Sequence, residues 1–551
     1  MHRLAIFACI FILMKVDPST AQPAEIPKLT VILVIDQFRA DFITRYQDLY
    51  VEGGLARLIR EGAWFKDATY GHAHASTSPG HSVITSGTYG YWSGIIANSW
   101  YDRRTQSQHK SLTDPNHRIL GKPRNPNGRS SPNDIHGSTL SDELRKSTNF
   151  QGKYFATSVK DYSAMVSAGK MGIPLWYEAS LGRFTSSDFY MEDLPEWVKV
   201  FNERKLPESY FGKQWNRLLP VSVYEERVGA DDRPNEENNR SAGITFPHTI
   251  TGGEEQPGVA FWNSLKHTPW GDEVLLEFAR TLIREEQLGM DEAPDILVVS
   301  LGSVDYVGHD YGPFSQESLD SILRVDRQIA GFLDFLDQEI GLDEMLLVLT
   351  SDHGAVPLSE ESVRRGTASD RVSPAELTAH VESVLDSVYA PGDWIEYMHQ
   401  TGLHLNYETV KRHGLTRLEV AQASSTALES HPGISLGITR DRIISGQLPD
   451  LPLYRRIANS FYPDRSGDVI PIAEPFYVIL DEYSEKPMGS SHGQPHQYDV
   501  HVPLIFRGPW IRPGLYRTPI DMADLTPTVC EILNISMPSG RDGAVLEAVL
   551  K

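Results

Sequence analysis

A chain of 551 residues with 40% apolar and 23% charged residues can bury a large core, as one unit with an insertion or as several domains. Its net charge of −22 excludes a protein built around the nucleic-acid backbone, which needs a basic face to displace counterions. Two cysteines exclude a disulfide framework and a thiolate metal cluster, so any metal site must use carboxylate, imidazole and hydroxyl groups, which suit zinc or a harder divalent ion.

At the N-terminus Arg3 precedes an apolar run from Leu4 to Met14, and Ser-Thr-Ala ending at Ala21 supplies small residues for cleavage before Gln22. These features predict a signal peptide over residues 1–21, because the run falls short of the ~20 residues that span a bilayer. Its removal takes Cys9 with it and leaves Cys530 unpaired. The expected destination is the periplasm or the medium, and no later segment reads as a membrane span.

Residues 29–36, Leu-Thr-Val-Ile-Leu-Val-Ile-Asp, form a continuous apolar and β-branched run, as in a parallel strand buried on both faces, with Asp36 at its carboxyl end. His74-Ala-Ser-Thr77-Ser-Pro-Gly-His81 is a small-residue turn entering a helix. A hydroxyl there sits beside free N–H groups and the positive end of the helix dipole, where a phosphoryl group is stabilised. On this octapeptide alone, Thr77 or Ser78 reads more simply as an N-cap. Residues 105–137, rich in Asn, Pro, Ser and Gly, predict a long loop.

The strand pattern returns at Asp295-Ile-Leu-Val-Val-Ser-Leu-Gly and at Met345-Leu-Leu-Val-Leu-Thr-Ser-Asp. Between them Leu319, Ile322, Ile329, Leu333 and Leu336 share one helical face, which predicts a βαβ unit. Residues 360–480 break this rhythm. Ser373-Pro-Ala-Glu376 and Thr416-Arg-Leu-Glu419 open two helices around a strand-like Leu403–Tyr407, and together they predict an inserted α+β cap. The core resumes at Tyr498-Asp-Val-His-Val-Pro-Leu-Ile-Phe and closes on Thr526-Pro-Thr, where threonine is placed to cap a helix and proline to start it. The expected layout is therefore an α/β core over 22–359, the cap over 360–480 and the rest of the core over 481–551.

Each core strand runs into polar residues at its carboxyl end, where open α/β sheets bind ligands. Asp36, Asp305-Tyr-Val-Gly-His309, Asp352-His353-Gly354 and His492-Gly493 supply three carboxylates and three imidazoles. Singly, each reads more simply as a strand-end turn or cap. Jointly they suffice for two divalent ions, and two ions ~4 Å apart serve displacement at phosphorus. The adjacent Asp352 and His353 could serve one ion or two. Threonine is a poor nucleophile unless activated, which such a site provides for Thr77.

In this order, with Asn98-Ser-Trp-Tyr-Asp102 between, these motifs resemble the alkaline phosphatase superfamily, and within it the threonine-nucleophile branch of nucleotide pyrophosphatase/phosphodiesterases and phosphate-insensitive bacterial alkaline phosphatases. Ser158-Val-Lys-Asp161, Phe184-Thr-Ser-Ser-Asp-Phe-Tyr190 and Ser466-Gly-Asp-Val469 also resemble the phosphatases. The resemblance implies an alkaline-phosphatase-like core and two Zn²⁺ ions, one held by Asp36, Thr77, Asp352 and His353 and the other by Asp305, His309 and His492. It further implies hydrolysis of small-molecule phosphate esters through a phosphothreonine at Thr77, with Asn98 and Lys160 holding phosphate oxygens. The sequence leaves the oligomeric state open and is compatible with a monomer.

Two departures bear on substrate charge. The monoesterases resemble Lys-Asp-Arg where this chain has Lys160-Asp161-Tyr162, and a phenol cannot replace arginine's charged, bidentate fork. Tyr162 can instead stack on an ester substituent, which keeps a phosphodiesterase as the alternative. Where relatives resemble Gly-His the chain has Gly169-Lys170, and Lys170 either supplies the missing charge or is exposed. A sulfatase would need Cys/Ser-x-Pro-x-Arg, which Thr77-Ser-Pro-Gly-His lacks. A degenerate phosphate-binding protein would be expected to have lost Thr77 or several ligands, and none is lost.

Overall fold

A computed structural model describes residues 26–233, 235–236, 242–480 and 489–551. The leader expected over 1–21 lies outside the described residues. The apolar runs become the strands of one mixed sheet: β1 (Leu29–Ile35), β2 (Ala63–Thr69), β3 (Tyr154–Ser158), β4 (Ile173–Glu178), β5 (Arg183–Thr185), β6 (Asp295–Leu301), β7 (Met345–Thr350), β8 (His501–Arg507), β9 (Gly514–Tyr516) and β10 (Ile520–Asp521). Their order is β9-β2-β8-β7-β1-β6-β3-β4-β5, with β10 beside β2. The central five, β7-β1-β6-β3-β4, are parallel, and β8 runs antiparallel to both β7 and β2. This is the expected α/β class.

All seven residues of β1 are buried, and their alternation explains the layers. Leu29, Val31, Leu33 and Ile35 pack toward one face, with Leu275 and Leu282 of a helix at Pro269–Glu285 and Leu319, Ile322 and Leu333 of a helix at Gln316–Glu339. Ile32 and Val34 pack toward the other, with Val83 and Ile84 of the Thr77–Ser86 helix and Leu525 and Val529 of the Leu525–Leu533 helix. Each fully buried Leu, Ile or Val contributes about 1.5–3 kcal/mol, so the strand ends are held from both sides. The helices used below are numbered α1 (Thr77–Ser86), α2 (Asp161–Ala168), α3 (Pro269–Glu285), α4 (Ser303–Tyr311), α5 (Gln316–Glu339) and α6 (Leu525–Leu533).

Register carries this order to the carboxyl edge. Ile35 pairs with Leu301 and Val34 with Thr350, so the three strands end level. The predicted βαβ unit holds in its parts, but β1 lies between β6 and β7. Between β7 and β8 the chain builds a second, antiparallel sheet in the order Ile395–His399, Gly402–Leu405, Val469–Ala473, Ile434–Thr439. Helices Pro374–Val388 and Arg417–Glu429 join it around a separate apolar cluster including Leu377, Trp394, Leu403 and Val420. Ser373 accepts from the Glu376 N–H, and Thr416 with Glu419 forms a complete capping box.

Three local expectations are corrected. The stretch 105–137 is not all loop: Ser107–Lys110 pairs antiparallel with Ser99–Asp102, because Trp100 and Tyr101 bury themselves and pull the neighbouring strand alongside. The last long strand starts at His501, since Gln497–Val500 is a helical turn. Thr526 does not cap α6. It lies inside the helix and donates its hydroxyl to the Ile84 carbonyl at 2.7 Å, tying α6 to α1.

Candidate active site

Five segments converge on the edge where β1, β6 and β7 end. Asp36 follows β1 directly, and Asp352 and His353 follow β7 after one serine. Asp305 and His309 lie one turn apart on α4, which begins two residues after β6. Thr77 is the first residue of α1, a helix buried along its whole length. His492 comes from the segment before β8.

Two groups form. Ligand atoms of Asp305, His309 and His492 lie within 4.8 Å of one another, and so do those of Asp36, Asp352 and His353. Within them His309 Nε2 is 3.2 Å from Asp305 Oδ1, and His353 Nε2 is 3.4 Å from Asp36 Oδ1. The His353 and His492 rings stack at 3.7 Å, joining the groups. Thr77 Oγ1 sits 3.3 Å from His353 Nε2.

The hydrogen bonds behind the rings orient them. His309 Nδ1 faces the Ser490 carbonyl at 2.8 Å, His353 Nδ1 that of Gly354 at 2.9 Å, and His492 Nδ1 that of Ala75 at 2.8 Å. A carbonyl only accepts, so each ring is protonated at Nδ1 and, when neutral, presents the Nε2 lone pair to the carboxylates. Burial, then the neighbouring His353 and His309, pushes His492 well below the usual imidazole range, which keeps it a lone-pair donor.

Charge is unbalanced. Three buried carboxylates face one ammonium, Lys160, whose Nζ lies 2.7 Å from Asp36 Oδ2 and also reaches Asp305 Oδ2. Burial and then Asp305 and Asp352 raise the Asp36 carboxyl well above its usual range. Burial acts the same way on Asp305, but Lys160 and His309 outweigh it and hold that carboxyl well below. Asp36 Oδ1 is buried without a hydrogen bond, Asp36 Oδ2 is met by Lys160 alone, and Asp352 Oδ2 has only His81 Nδ1 at 3.3 Å, so the three carboxylates carry more charge than their partners balance. Unpaired buried charge costs several kcal/mol, and this oxygen and nitrogen donor set fits divalent cations, zinc among them.

Asn98 Oδ1 accepts from the Ser78 N–H at 2.8 Å, which leaves its amide NH₂ end available. The helix terminus itself offers less than the octapeptide suggests. Pro79 has no N–H, that of Ser78 is taken by Asn98 and that of Gly80 by the Ser76 carbonyl. Ser76, not Thr77 or Ser78, is the N-cap residue. Tyr162, half-buried on α2, has the Arg129 guanidinium 4.5 Å from its ring centre and Lys160 Nζ at 5.8 Å. Lys170 is exposed beyond the far end of α2, at least about 12 Å along the axis from Lys160, and does not replace the missing arginine.

Several partners escaped the sequence reading. Gln37, at a left-handed φ of 62°, donates from Nε2 to Asp305 Oδ1 at 2.8 Å. Asp272 on α3 accepts from the N–H groups of Gly302 and Ser303 at the start of α4, and burial pushes its carboxyl up to about 7. His81 Nδ1 lies 2.9 Å from the Thr77 carbonyl and 3.3 Å from Asp352 Oδ2. His81 stood in the octapeptide and Gln37 beside a strand-end carboxylate; Asp272 and Arg129 had no local signal.

Fold and edge define a class, an α/β protein with two adjoining sets of metal-type ligands beside a hydroxyl nucleophile candidate. The family model of type I phosphodiesterases/nucleotide pyrophosphatases matches residues 30–499, and the chain belongs to that family, within the alkaline phosphatase superfamily that the motifs resemble. It is 33% identical to alkaline phosphatase PhoV of Synechococcus elongatus over 98% of this chain and 96% of the relative. It is 31% identical to a Myroides odoratus protein named calcium-transporting ATPase, over 96% of each. The crystal structure of alkaline phosphatase PafA superposes with a TM-score of 0.87 at 30% identity, covering 95% of this chain and 99% of that one. Murine ectonucleotide pyrophosphatase/phosphodiesterase 5 shares the fold, with a TM-score of 0.53 at 14% identity.

Proposed function

We propose that the protein is an exported phosphomonoesterase that holds two zinc ions and forms a phosphothreonine at Thr77. The observation that carries this reading is the position of Thr77 Oγ1 against His353, where the two ligand groups join. Thr77, Asp36, Asp352 and His353 would hold one ion, and Asp305, His309 and His492 the other. Divalent ions bound there would neutralise charge on the phosphoryl and leaving oxygens. Thr77 Oγ forms the new bond to phosphorus in line as the ester bond breaks, and the leaving oxygen takes up a proton from solvent. Water then displaces the threonine oxygen and releases phosphate. Asn98 and Lys160 would bind non-bridging oxygens, and a charge-assisted bond from Lys160 contributes about 1.5–3 kcal/mol. Full-length likeness to proteins named alkaline phosphatases supports this reading, as does the leader for export. Among the described residues no helix is long and apolar enough to cross a membrane.

The test is acid-quenching with labelled aryl phosphate. Label on the peptide that holds Thr77, lost in Thr77→Ala and kept in Thr77→Ser, is expected; label elsewhere, or an active alanine variant, overturns the assignment. One observation favours a second reading, a diesterase: Tyr162 stands where the monoesterases resemble arginine. Comparing an aryl phosphate with its methyl diester separates the two, with the monoester expected to be the faster.

A further inference from the structure

Beside Lys160 a cleft of about 610 Å³ opens between Tyr306, Lys266, Asp161 and Glu178. Past the last two residues a second chamber of about 230 Å³ continues, and its walls include Lys110, Arg118, Lys122 and Arg129. Asp161 and Glu178 line both chambers, so the two adjoin at a waist formed by these carboxylates. In a chain of net charge −22 the far chamber carries four Lys and Arg cations against two carboxylates.

The two carboxylates at the waist are already engaged. Glu178 accepts from Lys122 Nζ at 3.1 Å and from the hydroxyl and N–H of Ser180. Asp161 accepts from the Tyr162 N–H. The cations are less well matched. Arg129 lies over the Tyr162 ring, 3.9 Å from the nearest oxygen of Asp161, and its Nε is buried with no hydrogen-bond partner. Arg118 reaches Asp188 only at 3.5 Å through Nε, and exposed Lys110 makes no ion pair among the described residues. A guanidinium that makes no hydrogen bond to an acceptor leaves its charge for an incoming anion to pair with.

We propose that this chamber is a subsite for a second anionic group, a carboxylate or phosphate, on the organic part of the substrate. The substrates would then be phosphate monoesters that carry a distal negative charge. This rests on the monoesterase reading. It also gives Tyr162 a role: its ring spans the gap between Lys160 at the phosphoryl end and Arg129 at the distal end.

The test compares phosphorylated 4-hydroxyphenylalkanoic acids of increasing tether length with their amides, which share a phenol leaving group and differ only in distal charge. At low ionic strength one tether should give the acid a kcat/KM advantage of about tenfold or more, and salt at about 0.5 M should shrink it toward unity. Arg118→Gln with Lys122→Gln should also collapse the acid-to-amide ratio. Because the ratio is taken within each variant, a general loss of folded protein cancels. No advantage at any tether length, or an advantage that survives the double substitution, overturns the inference alone. Failure to release phosphate from either ester overturns the monoesterase reading and the subsite with it.

Discussion

Two groups of imidazoles sit side by side in this protein with opposite consequences. His309, His353 and His492 surround three carboxylates at the strand ends. His72, His74, His399 and His404 gather where the main sheet meets the second one, with Ser99 Oγ reaching His399 at 3.5 Å. Each ring of the first group is oriented by a backbone carbonyl. In the second, both nitrogens of His72 and of His404 and Nε2 of His74 are buried without a hydrogen bond. Burial, then His399, pushes His74 down to about 3, and burial pushes His399 down to about 4. An imidazole buried without a carboxylate hydrogen-bonded to it is a neutral filler. Convergent carboxylates with spare lone pairs turn the same side chain into a ligand.

The largest expected effect breaks the comparison at the carboxylates. Asp305→Ala should lower kcat/KM for an aryl phosphate at least about thousandfold, whereas His404→Phe should leave it within a few-fold. A small effect of Asp305→Ala measured by steady-state kinetics would remove the metal reading of the first group. Chelation should abolish turnover and lower Tm by several degrees in the wild type and in His404→Phe alike, because ions that bind only the folded state stabilise it by mass action. Calorimetry with and without chelator checks this.

A smaller effect sharpens the comparison by probing what positions a ligand. Asp272→Ala should lower kcat/KM about 10- to 100-fold, since the start of α4 loses its acceptor, and Asp272→Asn should restore most of it. No rescue by asparagine would show that the negative charge, rather than the accepted hydrogen bonds, matters. The smallest effect lies in the second group. The folded-state values of His74 and His399 fall below the ordinary value of 6.5, so the unfolded chain binds more protons between those limits. Stability is therefore fully present above about pH 6.5 and falls as pH drops toward 4. His404, also held well below its usual range by burial and then Arg103, adds to that slope. His404→Phe should flatten it and change stability at pH 7 by no more than about 1–2 kcal/mol, as read from denaturant midpoints.

Much of the first group was legible because a parallel strand buried on both faces announces itself as an unbroken β-branched run, and Asp36 and Asp352 stand at the ends of two such runs. Thr77 was legible as a helix start, and Tyr162 as a departure only against the resemblance. What the sequence hid has a common cause. Asp272 reaches α4 from 30 residues upstream, and Arg129 reaches Tyr162 from 33 residues upstream, with no period or motif linking either pair. The insertion of β1 between β6 and β7 was hidden too, because a crossover connection states handedness but not which strand fills the gap. The expectation that Thr526 caps a helix failed because its hydroxyl found a closer acceptor in Ile84.

The level ends of β1, β6 and β7 set terms for anyone transplanting this site. Because side chains alternate along a strand, one residue inserted between Leu29 and Asp36 would turn that carboxylate to the opposite face of the sheet, while β7 would still deliver Asp352 unchanged. An equal insertion at the exposed turn near residues 124–127 alters no strand pairing in the main sheet. The portable unit is therefore three strands cut to a common length, and a graft that copied only the ligand-bearing turns onto strands of unequal length would scatter the ligands.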